Sequence, residues 1–338
     1  MIRQKGFALV LVLWVLSLLT IMAGSFALSM RRETSIIAGI RNHAQAMAVA
    51  ESGIAMAEMM LLNPDRNKRW RADGSIYEIN SADAKVRVRL LSEMGKIDIN
   101  KADVTLLQGL MTYAPIDTEQ QTRLVSAILD WRDKDDLVHI DGAEKKEYQD
   151  AGLSYQPRNK PFQTIEELQM VLGMNESVFK WIEALVTVYS GQPQVNLQQA
   201  AKEVLQVMPG LDPELLDSYI AARLESAIND LPVPAIPSIS GQNNAAGQIP
   251  AFPSSSGQNN AAGQNNVFTV VSEALLNEAS KASISVVIKK SANAQVSSTP
   301  TPFEVLKWQR VTANKASLFT DAMSELLVKQ YAEPELNN

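Results

Sequence analysis

Residues Phe7 to Met30, "FALVLVLWVLSLLTIMAGSFALSM", carry no charge. A helix needs roughly 20 predominantly apolar residues to cross the hydrocarbon core of a bilayer, so this stretch is long enough to span one. Only Arg3, Lys5 and the start amine precede it, and no small-x-small site for signal peptidase follows the apolar run. The segment is therefore expected to stay on the protein as an anchor. Basic residues stand on both sides, Arg3 and Lys5 before, Arg31, Arg32 and Arg41 after, so the positive-inside rule gives only a weak preference for the N-terminus inside.

The helical pattern does not end with the apolar run. From Arg31 to Leu62 there is no proline, only Gly39 and Gly53 interrupt, and small residues recur at Ala44, Ala46, Ala48, Ala50, Ala55 and Ala57. Asn63 and Pro64 then stop it, because proline disfavours helix in the residue before it. One helix from residue 7 to 62 would be on the order of 80 Å long. Half of it would sit in lipid, and half would pack by a small-residue face on something else.

Beyond the helix, Ile76, Ile79, Val86, Val88 and Leu90 alternate with Lys85, Arg87 and Arg89, the pattern of half-buried strands, with Asn80 to Asp83 as turn material. Val267–Val271, Ser283–Lys289 and Phe303–Val311 read as further strands far downstream. A sheet split by a large insertion is implied, and 338 residues leave room for two folded units. Lys plus Arg number 31 against 37 Asp plus Glu, which argues against a general polyanion binder. There is no cysteine and there are only two histidines, far apart, so thiolate chemistry is excluded and a nucleophilic triad is not expected. No enzyme is predicted.

Inside the insertion, "INKADVTLLQGL" from Ile99, "FQTIEELQMVLGM" from Phe162 and "VNLQQAAKEVLQVMPGL" from Val195 each begin with a capping residue, run one amphipathic helix and stop at a glycine. Thr164 with Glu167 reads as a capping box. These units resemble the helix-hairpin-helix modules that grip DNA backbones. Those modules use two glycines flanking one residue, whereas here Asn175 follows Gly173 and Asp212 follows Gly210. A carboxylate facing phosphate repels it, so packing is the expected use and no nucleic-acid partner is expected.

Between the first two units, Asp133 to Glu144 is a twelve-residue span with Asp135 third, Asp141 ninth and Glu144 last, the oxygen-ligand spacing of a calcium loop. Leu137 and Val138 at the fifth and sixth places exclude an EF-hand. Asp133, Asp135, Asp136, Asp141 and Glu144 are the candidate ligands, and hard oxygens without cysteine favour calcium over zinc or copper. A solvated acidic loop is the competing reading. His139 is a poor calcium ligand and reads as exposed loop, and His43 on the long helix reads as structural.

From Asn229 to Asn266 the chain is rich in Pro, Ser, Gly, Gln and Asn, and "SGQNNAAGQ" occurs at Ser240 and again at Ser256, a low-complexity linker. The tail after Val311, with "LFTDAMSELLVKQY", reads as a short amphipathic helix of no assigned role.

Several of these stretches carry a family resemblance. The leader ending at Gly6, followed by Phe7 and the apolar run, resembles a type IV prepilin signal. The resemblance implies cleavage after Gly6 by a prepilin peptidase and methylation of the new terminus at Phe7. Most pilins carry glutamate where this chain has Leu11. That departure, "QAMAVAESGIAMAE", and "AILDWRDKDDLVHIDGAEKKEYQDAGLSYQPRNKPFQTIEEL" resemble the GspK family of minor pseudopilins of type II secretion. The signature residues are Asp130, Trp131, the clustered aspartates, Gly142 to Glu144, Tyr148, Arg158 and Asn159.

Membership would imply an α+β, type IV pilin-like fold: a long N-terminal helix on an antiparallel sheet, interrupted by a large all-α insertion domain with helix-hairpin-helix-like repeats. The expected divisions are a leader at 1–6, a transmembrane helix at 7–30, the rest of the helix and first strands at 31–97, and the inserted domain at 98–230. A linker at 231–266, returning strands at 267–312 and a tail at 313–338 complete the chain. The resemblance further implies calcium in the helical domain, an inner-membrane anchor with a periplasmic body, and a place at the tip of a pseudopilus. Its implied partners are minor pseudopilins of the I and J types, the major pseudopilin, the prepilin peptidase and the inner-membrane assembly platform. Alternatives are a PilX-class minor pilin of type IV pili and a membrane-anchored DNA-uptake protein.

Overall fold

A computed structural model describes residues 7–81, 83–236, 266–276, 280–291, 301–311 and 317–332. The expected leader with Gly6, and both copies of the repeat, lie outside them. Helix α1 runs unbroken from Phe7 to Leu61, about 80 Å at 1.5 Å per residue. The described side chains before residue 46 are all exposed. From there Ala46, Ala50, Ile54, Ala57 and Leu61 form a buried stripe, the three-to-four-residue spacing of one helix face.

The stripe lies on a six-stranded sheet. Its strands are β1 (Asp73–Asn80), β2 (Ala84–Ser92), β5 (Val267–Leu276), β6 (Ser280–Lys290), β7 (Phe303–Val311) and β8 (Leu327–Ala332), in the order β7-β6-β5-β2-β1-β8. Two short strands, β3 (Ile97–Asp98) and β4 (Val186–Thr187), pair in parallel within the insertion. Ala46, Ala50 and Ala57 carry the close contact, while Ala44, Ala48 and Ala55 face outward. Gly53 is the tightest point, since a Cβ there would stand 2.3 Å from Ser272 Oγ and 2.8 Å from Val86 Cγ1.

The expected split of the sheet is observed. β2 and β5 pair antiparallel from Ala84↔Leu276 to Ser92↔Phe268, with the insertion between them in sequence. Val86, Val88 and Leu90 of β2 are buried, and Arg87 and Arg89 point to the other face.

The tail departs from expectation. Among its described residues only Asp321–Ser324 is helical, the single turn α8, and Leu327–Ala332 joins β1 as a parallel edge strand. The reason is a long-range one. Glu273, Arg87 and Glu78 stand opposite one another across β5, β2 and β1, and this charged row needs cover. The tail supplies it: Glu273 accepts a hydrogen bond from Ser317 Oγ at 2.6 Å, and Arg87 donates to Leu318 O at 2.8 Å and to Ser324 Oγ at 2.9 Å. Arg87 also pairs with buried Glu78 at 2.8 Å and lies over the Phe319 ring. Trp70 Nε1 donates to Tyr331 OH at 3.1 Å and fastens the strand's end.

The inserted domain has a core of its own, built on α2 (Val104–Met111), α3 (Thr118–Arg132), α4 (Lys145–Asp150), α5 (Glu176–Ile182), α6 (Lys202–Gln206) and α7 (Pro213–Ile228), with a 3-10 turn at Ile165–Met170. Two details correct the sequence reading. The first unit does not stop at its glycine. Gly109 lies inside α2, where a Cβ would come within 3.1 Å of the Pro209 ring. The capping box at Thr164 is not formed either, because Glu167 accepts from the Gln163 N–H at 2.9 Å and from Arg158 at 2.6 Å instead.

The second and third units turn at Gly173 and Gly210, with φ of 88° and 83°. Asn175 and Asp212 then cap α5 and α7, accepting from Val178 N–H and Glu214 N–H at 2.9 Å each. One free amide at the start of each helix is thus taken by the chain's own side chain.

Charged contacts bolt the insertion to the sheet. Arg223 donates to Ala200 O at 2.7 Å and to Asp73 O at 3.1 Å, and Arg89 pairs with Glu203 at 2.8 Å. Buried Glu93 accepts from Lys96 Nζ at 2.7 Å and from Thr269 Oγ1 at 2.6 Å. The junction lies at the end of the sheet where α1 finishes. Arg69 donates to Asn63 O at 2.7 Å just past α1, and its charge, after burial, helps lower the Lys290 pKa. The Lys290 N–H in turn donates to Asn266 O, where the chain returns from the insertion. The inserted domain thus stands at the end away from the apolar half of α1.

Candidate functional site

Helix α3 delivers the centre of the site. Its last turn buries both Asp130 and Trp131 completely, with Trp131 flanked by the rings of Tyr148 and Phe162 at 6.1 and 6.0 Å. The chain leaves α3 at Asp133, its C-cap, and loops to Glu144, which precedes α4 and whose N–H is accepted by Glu147 at 2.9 Å. Asp130 organises this loop from beneath. It accepts from His139 N–H at 3.1 Å, from Ala143 N–H at 2.6 Å and from His139 Nδ1. Gly142 is required by that arrangement, because a Cβ would fall 2.0 Å from Asp130 Oδ2.

Three buried oxygens in this region have no hydrogen-bond partner: Asp133 Oδ1, Glu144 Oε1 and Asn159 Oδ1. A buried polar atom left unpaired costs free energy, so its persistence calls for a ligand. Asn159, in the left-handed region at φ 50°, donates through Nδ2 to Asp135 O and Asp136 Oδ1, both at 2.8 Å. Burial, then the charges of Asp130, Asp133, Asp136 and Asp135, push the Glu144 carboxyl up to about 7. Burial and then its neighbours Asp135 and Asp130 raise Asp133 as well.

Four of the five expected ligands, Asp133, Asp135, Asp136 and Glu144, therefore share one electrostatic cluster. Asp141 is exposed, in a left-handed turn at φ 61°, and its charge is not among those acting on Glu144. Asp130, Asp133 and His139 form a group that can hold a metal ion. Yet both Asp130 oxygens already accept N–H donors, and His139 Nδ1 is engaged by Asp130, with Asp133 Oδ2 at 3.7 Å. The oxygens of Asp133, Glu144 and Asn159 that lack partners remain available as donors beside this group. The sequence reading passed over Asp130 and Asn159 as site residues, although both stand in the signature run.

The family described as "Type II secretion system (T2SS), protein K" matches residues 79–191, which span β2, the loop and Asn159. Two relatives carry the same protein K name. The chain is 24% identical over 247 residues to type II secretion system protein K of Klebsiella pneumoniae, covering 67% of this chain and 75% of that one. It is 26% identical over 205 residues to the protein K of Aeromonas hydrophila, covering 52% of this chain and 61% of the relative. Among solved structures, the GspK-GspI-GspJ complex of enterotoxigenic Escherichia coli aligns at 16% identity with a TM-score of 0.48, over 81% of this chain and 98% of that one.

Proposed function

We propose that this chain is a minor pseudopilin of a type II secretion system, a structural subunit rather than an enzyme. One observation carries the reading: a helix long and apolar enough to cross a membrane continues without a break as the spine of a sheet that a protein K domain interrupts. The anchor sits in the inner membrane, with the body in the periplasm. Cleavage after Gly6 leaves Phe7, the first residue of α1, as the methylated terminus. The inserted domain, carried at the far end of the sheet, would clash inside a closely packed helical fibre, so its place is the tip of the pseudopilus. There the chain meets the I- and J-type minor pseudopilins and, below them, the major pseudopilin. The prepilin peptidase and the inner-membrane assembly platform act on it before assembly.

The loop's role in this reading is to hold calcium. Asp133, Glu144 and Asn159 supply the buried oxygens, with Asp135 and Asp136 beside them, and the ion supplies positive charge that relieves their mutual repulsion. The protein's own part is to aim those oxygens, through Asp130 beneath the loop and Asn159 across it.

Two measurements test the assignment. Cells lacking the gene should lose export and regain it with the wild-type chain, and co-expressed I- and J-type subunits should co-purify with it. Export unaffected by the deletion rejects the function. Separately, the chain should melt several degrees higher in calcium than in chelator. Equal melting, with no bound metal on elemental analysis, rejects the calcium role alone.

A further inference from the structure

Three apolar side chains at the crest of the acidic loop are used by nothing described so far. Leu137, Val138 and Ile140 are 76%, 52% and 88% exposed, and outside α1 Ile140 and Leu137 are the two most exposed large apolar side chains among the described residues. A single exposed leucine needs no explanation, but three within four residues on one crest do.

Nor is the crest slack. Ser126 Oγ donates to Ile140 O at 2.8 Å, the Leu137 N–H donates to Asp135 Oδ1 at 3.0 Å, and the His139 N–H is held by buried Asp130 at 3.1 Å. Asn159 grips the Asp135 carbonyl from the opposite side at 2.8 Å. The backbone is thus fixed on both sides of each apolar side chain, and these side chains are held out into water. Such pre-ordering lowers the entropy that docking would cost.

We propose that residues 137–140 are a preformed docking tip that enters an apolar pocket bordered by lysine and arginine side chains on a partner protein. Charge selects that rim. Within residues 133–141 the tip's own segment carries Asp133, Asp135, Asp136 and Asp141 against Lys134, so a basic border complements it and an acidic one is refused. The same charges repel an anionic bilayer surface, and the inserted domain stands at the end away from the segment of α1 that enters lipid.

The test uses the full-length chain in its native cells, with a photo-crosslinking phenylalanine analogue at Leu137 or at Ile140 and mass spectrometry of the adducts. The expected adduct is a protein peptide whose folded surface is an apolar pocket with lysine or arginine at its edge. That protein, once purified, should bind the Leu137→Ser/Ile140→Ser double variant at least tenfold more weakly than wild type, and wild type more weakly at high salt. The double variant should melt as wild type does, since both side chains lie in solvent. Adducts with lipid only, adducts with a surface lacking such a pocket, no adduct at either position, or undiminished binding of the double variant overturn the proposal. Export unaffected by deletion of the gene would instead count against the pseudopilin role and leave the crosslinking result standing.

Discussion

Glu144 sets the pH response of the metal-free protein. Its folded pKa of about 7 lies above the ordinary value of 4.5, raised first by burial and then by four aspartates. The folded state therefore binds more protons than the unfolded chain between those values, and stability must fall as pH rises from 4.5 to 7. In chelator, the melting temperature should drop across that window and level off above it; in calcium the slope should flatten, because the ion favours the ionised form. Glu144→Gln should shrink the slope in chelator, leaving the part due to the raised Asp133, and remove the calcium response; an undiminished slope would assign it to another group.

Gly142→Ala tests the frame beneath. The new Cβ meets the Asp130 carboxylate at 2.0 Å, so a loss of about 1–3 kcal/mol in denaturant unfolding is expected.

At this scale the spacing drew attention to Asp133, Asp135, Asp141 and Glu144, and the structure groups Asp133, Asp135 and Glu144 electrostatically while Asp141 is exposed. Asp130 and Asn159 were not legible, because a spacing rule counts acidic residues within a loop. Asp130 reaches the loop from the last turn of a helix, and Asn159 arrives from a different segment and contributes an amide.

Among the elements, α1 was the most legible, since unbroken hydropathy followed by alanines and a closing Asn63-Pro64 leaves little else for the chain to do. What the alanines did not disclose is which of them touch the sheet. That depends on the rotation of the helix, fixed where Gly53 meets Ser272 and Val86. Gly53→Val should lower stability by roughly 1–3 kcal/mol through overpacking. The same change at Gly39, where nothing lies within 4 Å of a built Cβ, should do far less. Thermal unfolding of the two variants side by side decides it: helix propensity favours valine over glycine at both positions, so a loss confined to Gly53 reads packing and equal changes would reject the close contact. The second and third hairpins were legible through their turn glycines, whereas Gly109 of the first lies inside α2, and the capping box read at Thr164 does not form. A Thr-x-x-Glu pattern is satisfied locally only if no stronger partner competes, and Arg158 competes for Glu167.

For the whole molecule, the split sheet was readable because alternation survives on both sides of the insertion. The closing strand was not, because β8 depends on an open edge and a charged row contributed by β1, β2 and β5, residues remote in sequence. Ending the chain after Val311 should uncover buried Glu78 and Glu273 and free the outer edge of β1. The truncated protein should self-associate through that edge, seen as concentration-dependent light scattering. A monodisperse, equally stable product would show that the tail is dispensable.

The pairing of β2 with β5 also dictates an order of events during biosynthesis. When β2 emerges from the ribosome its neighbour at Phe268 has yet to be made, and the whole helical domain must come first. The hairpin of β1 and β2 therefore waits with both outer edges open, and under the proposed pseudopilin role the apolar half of α1 is by then in lipid. The insertion, with its separate core, can fold during that wait and bring the two cut ends of the sheet together. Under that role, tethering to the bilayer would keep nascent copies from meeting freely in three dimensions and protect exposed strand edges until β5 to β8 arrive to close the sheet.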